Sequence, residues 1–503
     1  MGPSPGSPQA RAVGNPVHPV RCRGTGRQES IRRKRPGAIP YEEIGAEFLQ
    51  RPKPLSEIIE DLVFPQNRER NRILLERKQS GVYEDGLELP KRKNLFGGNA
   101  FLGKGEIFKG VELPTGAVWQ PVFIPYGEFR TAVQSFNNGP TEFTEWANRL
   151  NLYGNLYLTP TERILVQVRP LDTSGEFSGY QFGGGDEGSS NALNGRIRTL
   201  FFEGDIGELF PFLDPHDKGQ WDLGLAIGRQ PLNFQEGILL NDSVDSIGVS
   251  RSSMFLFGSS AAHLTGYFGM NELHRNDGRS DDDAKIFGMN MGADYFKSTY
   301  ELDIAYVDGG PSSGGDGVYG GVGQTRRFGH WNSTTRLNLS QALQRETDAV
   351  SSGWLFSHQL SRTILSSHDI FYLNSFWGID DYASAGRDPD VGGPLGLIGI
   401  LYDAPGLGRF QAPLGNHVGN NLGFATGIQH FFGSRNRTHL IIETGGRLAF
   451  EDRDQSSYGL MTRFQKAFGQ HYIFAVDAFA AGYDDPLLDD LGYGGRCEWQ
   501  IKF

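Results

Sequence analysis

Arginines recur in this sequence at alternate positions of strand-like segments, and their chemistry is the first indication of function. A guanidinium group stays charged at physiological pH, and its flat fork of donors suits carboxylates and phosphates. If the alternation separates two faces, one face is predicted to be charged and to line a pore: Arg130, Arg149, Arg163, Arg169, Arg196, Arg198, Arg336, Arg447, Arg463, Glu128, Glu301, Asp303 and Glu443, with Asp477 and Glu498 as further acidic partners.

Two interpretations of these charges remain open. Five of the arginines fall between positions 149 and 198, on three successive predicted strands, which places them on one wall. They could form a basic ladder that draws anionic solutes through, or a network of ion pairs that braces the wall. Arg229 has the parity of Leu223 and Ile227 and is predicted at the outer rim rather than in the lumen.

Motifs typical of enzymes and metal sites are missing from the sequence. There is no H-E-x-x-H, no G-x-S-x-G and no EF-hand spacing, and the glycine runs lack the lysine of a phosphate-binding loop. Cys22 and Cys497 predict neither a disulfide framework nor a zinc site. The acidic clusters are predicted to be solvated loops: 281–283, 451–454, 484–485 and 489–490. We therefore predict no enzymatic activity, no cofactor and no metal.

The segments that would position the charged residues have the period of β-strands. From about residue 125 to residue 503, apolar and polar side chains alternate in stretches that glycine, asparagine, aspartate and serine separate. Eighteen strands are predicted, with sixteen as the second choice, and the least regular of them is the apolar run 393–403. The stretches 171–193 and 309–330 are interpreted as long loops that narrow the pore.

A closed transmembrane barrel explains this pattern better than a soluble β-sandwich. A tilted strand needs about 9–11 residues to cross a bilayer, which fits these segments, whereas soluble strands are most often about 5–6 residues long. Aromatic residues recur near strand ends, for example Tyr157, Trp354 and Tyr472, as expected for girdles at the two membrane interfaces. A dry sandwich core could not bury so many charges, but a water-filled lumen can hold them.

Composition excludes several other classes of protein. The chain has 503 residues, a net charge of −11 and 69 glycines. It contains no apolar run of about 18 residues that could form a transmembrane helix, and its acidic balance argues against a nucleic-acid partner. Residues 1–40 are predicted to be disordered, and 41–124 to be polar and partly helical, either periplasmic or a plug. No apolar core follows the basic run 32–35, so the N-terminus lacks the pattern of a secretory signal, and export would imply either a misassigned start or a lost signal.

Two stretches resemble bacterial outer-membrane barrels. Phe503 ends an alternating strand and looks like the assembly signal of those barrels. The segment 223–240, followed by Asp242 and 248–251, is similar to a stretch of alginate-export-type porins, although Gln235 and Glu236 stand where that family tends to have a tight glycine turn. The resemblance implies a single barrel of eighteen strands with an arginine-lined lumen.

The predicted function is passive diffusion of hydrophilic, anionic solutes or oligosaccharides through a porin in the outer membrane of a Gram-negative cell. The predicted partners are the lipid bilayer, the barrel-assembly machinery and small hydrophilic solutes, and no nucleic acid. Two alternatives remain. One is a structural or binding barrel, such as a sheath around an electron-transfer protein, and the other is an outer-membrane barrel enzyme.

Overall fold

The structure is a computed structural model that describes residues 110–503 except 138–141, 174, 184–186, 217, 311–313, 365–366, 434–435, 451–455 and 485–490. The predictions for 1–40 and for most of 41–124 lie outside the described residues, as do Cys22 and the acidic residues of 451–454, 485 and 489–490. In the part of the chain that is described, no helix is long and apolar enough to cross a membrane.

Eighteen antiparallel strands form a closed barrel. They are β1 Val122–Asn137, β2 Glu142–Tyr157, β3 Arg163–Val168, β4 Ile197–Asp205, β5 Gly224–Phe234, β6 Leu240–Met254, β7 Ala261–Met270, β8 Lys285–Tyr295, β9 Ser298–Asp308, β10 Gly317–Phe328, β11 Trp331–Ala342, β12 Gly353–Thr363, β13 Ile370–Asp380, β14 Asn421–Phe432, β15 Thr438–Ala449, β16 Ser456–Phe468, β17 Tyr472–Asp484 and β18 Leu491–Lys502. Each strand pairs with the next, and β18 pairs with β1, which closes the sheet without an edge. The predicted fold class is therefore confirmed.

Shorter elements connect these strands. Short runs outside these strands form four further antiparallel pairings: Val111–Glu112 with Val118–Trp119, Asp172–Thr173 with Glu176–Gly183, Gly188–Ser190 with Glu176–Gly183, and Leu273–His274 with Ser280–Asp281. One α-helical turn spans Ile206–Leu209, and 3-10 turns span Gln235–Gly237, Pro389–Val391 and Pro394–Leu397. Gly386–Arg387 pairs in parallel with the start of β6.

The strand count is right although three individual predictions are wrong in whole or in part. The stretch 171–193 is not one long loop, because Glu176–Gly183 pairs with β2 and extends the wall. The run 393–403 is not a strand: it holds a 3-10 turn and lies inside the barrel, with Leu395, Leu401 and Tyr402 fully buried. Its side chains are apolar without alternation, which suits burial on all sides and not a wall with one wet face. Conversely, 309–330 is mostly strand β10, so it is not a long constricting loop.

Glycine obscures the alternation of β10 for a structural reason. Gly321 and Gly323 occupy lumen positions beside the side chain of Gln235, which belongs to the connection between β5 and β6. A Cβ atom at position 321 would lie 2.6 Å from the Cγ atom of Gln235. The glycines therefore leave room for the side chain of Gln235. Because glycine replaces polar residues at these lumen positions, the strand lacks the apolar–polar alternation by which a strand is recognised in the sequence.

The two faces of the wall differ in chemistry. Large apolar side chains are exposed on the outside, among them Ile304, Val322, Leu337, Phe424, Ile442 and Trp499. The inside holds buried polar and charged side chains, among them Asp303, Arg336, Asn338, Glu443, Arg463 and Asp477. An apolar outer face can meet lipid chains, and a polar inner face can meet water.

The two edges of the barrel also differ. One, the turn edge, carries connections such as 296–297, 329–330 and 469–471, together with the longer 206–223. The opposite loop edge carries 169–196, 271–284 and the longest connection, 381–420. Transmembrane barrels have short turns on the periplasmic side and longer loops outside, so the loop edge corresponds to the cell exterior.

Candidate functional site

Two connections of the loop edge enter the lumen. We call 381–420, between β13 and β14, the inward segment, and 235–239, between β5 and β6, the inward turn. The inward segment has many buried residues, including Ala385, Leu401 and Leu407. The inward turn contacts a wall strand beyond its own pair, because Gln235 donates a hydrogen bond of 2.5 Å to Asp303 of β9, three strands from β6. Together the two elements determine the space left for a solute.

The inward turn has an unusual backbone. Gln235 and Glu236 both have φ 54°, in the left-handed region that side chains other than glycine rarely adopt, and Gly237 follows with φ 86°. Contacts with other wall strands hold this conformation, since Glu236 lies 3.0 Å from Arg336 of β11. The turn that the resemblance to alginate-export-type porins leads one to expect as glycine-rich is thus formed by two polar residues with partners on β9 and β11.

Arg387 joins the inward segment to the inward turn. Its guanidinium donates hydrogen bonds to the carbonyl oxygens of Gly237, Ile238 and Gly392. Burial lowers the pKa of Arg387 to about 10, which still leaves the group charged at neutral pH. Ser384 adds a hydrogen bond of 2.7 Å to the Ile238 carbonyl. The two inward elements therefore form one connected body.

The first half of the inward segment presents acidic residues to the basic wall. We call the resulting group the charged cluster, which consists of Arg149, Arg169, Arg198, Asp172, Asp388 and Asp390. Asp390 lies 2.9 Å from Arg169, 3.7 Å from Arg149 and 3.8 Å from Arg198, while Arg198 also pairs with Asp388. Burial raises the pKa of Asp390, but the three arginines outweigh burial and hold that pKa below its ordinary value. The carboxylate is therefore ionised at neutral pH.

A narrow cleft opens beside the charged cluster, between the inward segment and the connection 169–196. Its lining consists of Arg169, Asp172, Thr173, Asn194, Arg196, Arg198 and Asp390. Three arginines against two aspartates give this lining a formal charge of 3 − 2 = +1. All seven lining side chains are polar, and the cleft has a volume of about 10 Å³, which is room for about one water molecule.

The second half of the inward segment is mostly apolar and packs against the inner face of the barrel wall. Its residues Leu395, Ile398, Ile400, Leu401, Tyr402, Phe410, Leu414 and Val418 form one cluster with Phe136, Tyr372, Phe376, Ala425, Ile441, Met461 and Phe479 of the wall. Leu401 fits between Gly445 and Gly459, where a Cβ atom at either glycine would lie 3.3 Å from it. Part of the lumen is therefore a dry core and not a water-filled space.

Polar anchors surround this apolar cluster. Glu443 of β15 accepts hydrogen bonds from the backbone N–H groups of Ile400 and Leu401, at 3.0 and 2.8 Å, and one from the Tyr372 hydroxyl. Tyr483 of β17 donates a hydrogen bond of 3.0 Å to the Pro413 carbonyl. Such bonds satisfy backbone groups that would otherwise be buried without a partner.

Asp403 is a buried carboxyl group of the inward segment whose charged form is disfavoured. Burial raises its pKa to about 7, with Asp477 and Glu443 adding to the rise and Arg463 and Arg496 opposing it. The nearest cation is Arg463, at 4.0 Å, and that arginine makes a closer pair of 2.8 Å with Asp477. The protonation of Asp403 therefore changes near neutral pH.

Ion pairs involve nearly all of the arginines that the sequence singled out. Those not yet described are Arg130 with Glu498 at 2.6 Å, Arg163 with Glu203 at 2.6 Å, Arg196 with Glu272 at 2.6 Å and Arg336 with Glu301 at 3.5 Å. Arg447 donates a hydrogen bond of 2.7 Å to the side-chain oxygen of Asn421 in the amide orientation that satisfies both groups. Glu128 accepts hydrogen bonds from Asn151 and Gln500. Their role as lining of a conducting pore stays a prediction.

Arg229 lies where cross-strand pairing matches it with Asp245, and it also contacts Glu272 of the 271–284 connection. Glu272 binds Arg196 as well, so these residues form a second group of charges at the loop edge. This position is the rim that parity indicated for Arg229. Phe503 continues the pairing of β18, since its N–H and C=O both bond the backbone of Gly127.

Sequence reasoning missed the acidic half of the charged cluster. Asp172, Asp388 and Asp390 lie in connections, where alternation gives no orientation. Arg387 was missed for the same reason, and Arg496 of β18, buried beside Asp477, was not included although it has lumen parity. The sequence signal available for 386–390 was a group of four polar or proline residues in a connection, which is equally typical of a solvated loop. In the described residues, no group of three or more potential ligands could hold a metal ion.

Comparison with known proteins gives structural neighbours only. No protein-family model matches the chain, and no curated protein matches it. A BenF-like porin from Pseudomonas fluorescens Pf-5 has 9% identity and a TM-score of 0.53, covering 76% of this chain and 98% of its own. Pseudomonas aeruginosa OpdK with vanillate has 11% identity and a TM-score of 0.51, covering 75% and 98%. Pseudomonas aeruginosa OccK2 (OpdF) has 11% identity and a TM-score of 0.51, covering 76% and 97%.

These neighbours share the outer-membrane porin fold with this chain. None of these three neighbours is described as an alginate-export porin, so that resemblance still rests on the segment 223–240. A single closed barrel with an apolar outer wall is the architecture of integral proteins of the bacterial outer membrane. The predicted location in the cell outer membrane is therefore confirmed.

Proposed function

We propose that this protein is a passive channel for hydrophilic solutes. The observation that carries the proposal is the closed barrel with charges inside and apolar side chains outside. A channel needs a wet path of suitable width and field, and no catalytic group. The polar cleft beside the charged cluster is the candidate path through the level of the inward segment.

A preference for anions is the finer part of the proposal. The cleft lining alone carries a formal charge of +1, but Asp388 and Glu272 pair with its Arg198 and Arg196 from outside the lining, so the favourable potential for an anion is weak. The preference is expected to be modest, because carboxylates neutralise most of the arginines nearby. Most of the arginines thus fit the interpretation as ion pairs that brace the wall. The interpretation as a basic ladder for anions is proposed only for the arginines that line the cleft.

The solute class follows from the same geometry. The arginine forks that line the cleft bind carboxylates in a defined orientation, which favours small organic anions. Because the cleft has room for only about one water molecule, such a solute would pass only if the inward segment moves. The resemblance of 223–240 to alginate-export-type porins adds acidic oligosaccharides as a second class. A role as a sheath or as a binding barrel would require that the inward segment block passage completely.

Solute efflux from proteoliposomes tests the proposal. Liposomes that contain the purified full chain are loaded with vanillate, with a neutral compound of similar size or with a cationic one, and release is followed over time. We expect the anion to leave faster than the neutral compound, and the cation slowest. Release no faster than from protein-free liposomes would contradict the channel, and equal release of all three would contradict only the anion preference.

A further inference from the structure

A groove on the outer wall is not explained by the proposed channel. It has a volume of about 500 Å³ and lies near the turn edge, lined by His330, Trp331, Arg362, Thr363, Ile364, Phe371 and Ile428. We call it the outer groove. Its volume falls within the range of small-molecule sites, which is about 300–1,000 Å³. Because this face of the wall meets lipid, the neighbouring molecules are lipids rather than water.

The floor of the outer groove is a row of outward side chains in register across the wall. Pairing between successive strands aligns Phe328, Trp331, Arg362, Phe371, Ile428 and Ile442. Arg362 is the one charged residue in that row. The row lies close to the turn edge, since β12 ends at Thr363 immediately after Arg362. The cost of an arginine that faces lipid falls steeply toward the interface, where a headgroup can meet it.

The surroundings of Arg362 differ from those of the lumen arginines. Its guanidinium carbon lies 5.4 Å from the centre of the Trp331 ring, and the Phe371 ring meets that indole edge-on at 6.4 Å. Among the described residues, no carboxylate lies within 4.0 Å of Arg362, whereas Arg149, Arg169 and Arg198 each have at least two such carboxylates. His330, at the rim of the groove, is also exposed.

We propose that the outer groove binds a glycerophospholipid of the leaflet at the turn edge, with its phosphate on Arg362 and an acyl chain along Trp331, Phe371 and Ile428. The arginine fork matches phosphate oxygens in geometry and charge, and the indole face holds the guanidinium in place by a cation–π contact. The apolar floor supplies the surface that an acyl chain covers. His330 provides a second donor near the headgroup.

Native mass spectrometry of the detergent-solubilised full chain tests this site. The chain is incubated with phosphatidylglycerol, with diacylglycerol of the same acyl chains, or with inorganic phosphate. We expect phosphatidylglycerol to remain bound and diacylglycerol to be lost. The variant Arg362→Gln should weaken retention by roughly tenfold or more, as expected for the loss of a charged hydrogen bond. Trp331→Leu, which keeps an apolar floor, should weaken it less.

The matched control is Arg326→Gln, because Arg326 is an exposed arginine of β10 that does not line the groove. Its retention of phosphatidylglycerol should equal that of the unmodified chain. Circular dichroism and channel conductance of Arg362→Gln should be unchanged, which separates this proposal from that of the channel. Equal retention of both lipids, equal loss in the control, displacement by inorganic phosphate alone, or an altered oligomeric state in Arg362→Gln would each overturn the lipid site.

Discussion

The charged half of the inward segment, 386–392, and its apolar half, 394–418, make different kinds of contact with the barrel wall. Asp388 and Asp390 of the charged half contact arginines of β2 and β4 and of the connection that follows β3. The apolar half packs against β1, β2 and β12 to β17, with Leu401 and Tyr402 fully buried. One segment thus spans the lumen between an ionic contact and a hydrophobic one.

The comparison assigns different roles to the two halves: one holds the segment in place, and the other determines the charge near the proposed solute path. Burying a large apolar side chain stabilises a contact by about 1.5–3 kcal/mol, and the apolar half buries several of them. Desolvation offsets much of the attraction in buried ion pairs, so the charged cluster adds little net stability. The apolar half therefore fixes the segment in the lumen, while the charged half sets the field that a solute meets.

The largest expected effect comes from a charge placed in the apolar half. Leu401→Asp puts an unpaired carboxylate into the cluster, which should cost about 3–5 kcal/mol and release the segment. Single-channel conductance in planar bilayers should rise severalfold. Gln411→Asp adds the same charge at an exposed position of the same segment and should leave conductance unchanged. Equal conductance in both variants would show that the apolar half does not obstruct the lumen.

Acidity should strengthen the docking of the apolar half through Asp403. The docked pKa of about 7 lies above the ordinary value of 3.8, so the docked state takes up the proton first. The resulting stability is complete below pH 3.8 and is lost as the pH rises through 7. Protease cleavage within 381–420 should be faster at pH 8 than at pH 5. The variant Asp403→Asn should abolish that difference, and a difference that persists would assign it to another group.

Loss of the Glu443 carboxylate should loosen the apolar half less than a buried charge does. Glu443→Gln keeps one acceptor oxygen but weakens the bonds to Ile400 and Leu401, at a cost of about 1–3 kcal/mol. We expect more frequent current fluctuations in the open channel. Glu301→Gln is the control, because Glu301 lies on the same face of the wall and is more exposed. Identical noise in the two variants would contradict the anchoring role.

Neutralising the charged half should change ion preference and not the size of the opening. Arg169→Gln removes one unit from the cleft, which alters the energy of a nearby anion by about 1 kcal/mol at 4 Å in water. The reversal potential in a KCl gradient should shift toward cations. Asn194→Asp reaches the same net charge by adding a carboxylate and should shift it in the same direction. Unchanged potentials in both variants would place the ion path elsewhere.

The smallest expected effect concerns a single hydrogen bond of the apolar half. Tyr483→Phe removes the bond to the Pro413 carbonyl and should reduce unfolding stability by about 1 kcal/mol. Conductance and ion preference should remain those of the unmodified chain. A large rise in conductance would mean that this bond, and not apolar burial, holds the segment.

The barrel could be predicted from sequence because each strand has one wet and one apolar face. Tyr300, Leu302 and Ile304 alternate with Glu301 and Asp303 in this way. The alternation fails where another part of the chain, and not water, contacts the inner face of the wall. In β10 the glycines make room for Gln235, and in 393–403 every side is covered, so one strand was missed and one false strand was added.

The charged cluster could be predicted only in part. Strand residues such as Arg149 and Arg198 have an orientation that pairing defines, although Arg198 turns inward at an irregularity in the pairing of β3 with β4. Their partners Asp172, Asp388 and Asp390 come from connections that reach the wall only through the folded inward segment. A long-range contact of this kind leaves no local period in the sequence.

Single-channel recording of the unmodified full chain, beside the Leu401→Asp variant, tests the central claim most directly. The structure predicts discrete current steps from the unmodified chain, a reversal potential that favours anions, and larger steps from the variant. Verified insertion of both chains into the bilayer with no current steps from either would contradict the account, because a barrel freed of its inward segment would still fail to conduct.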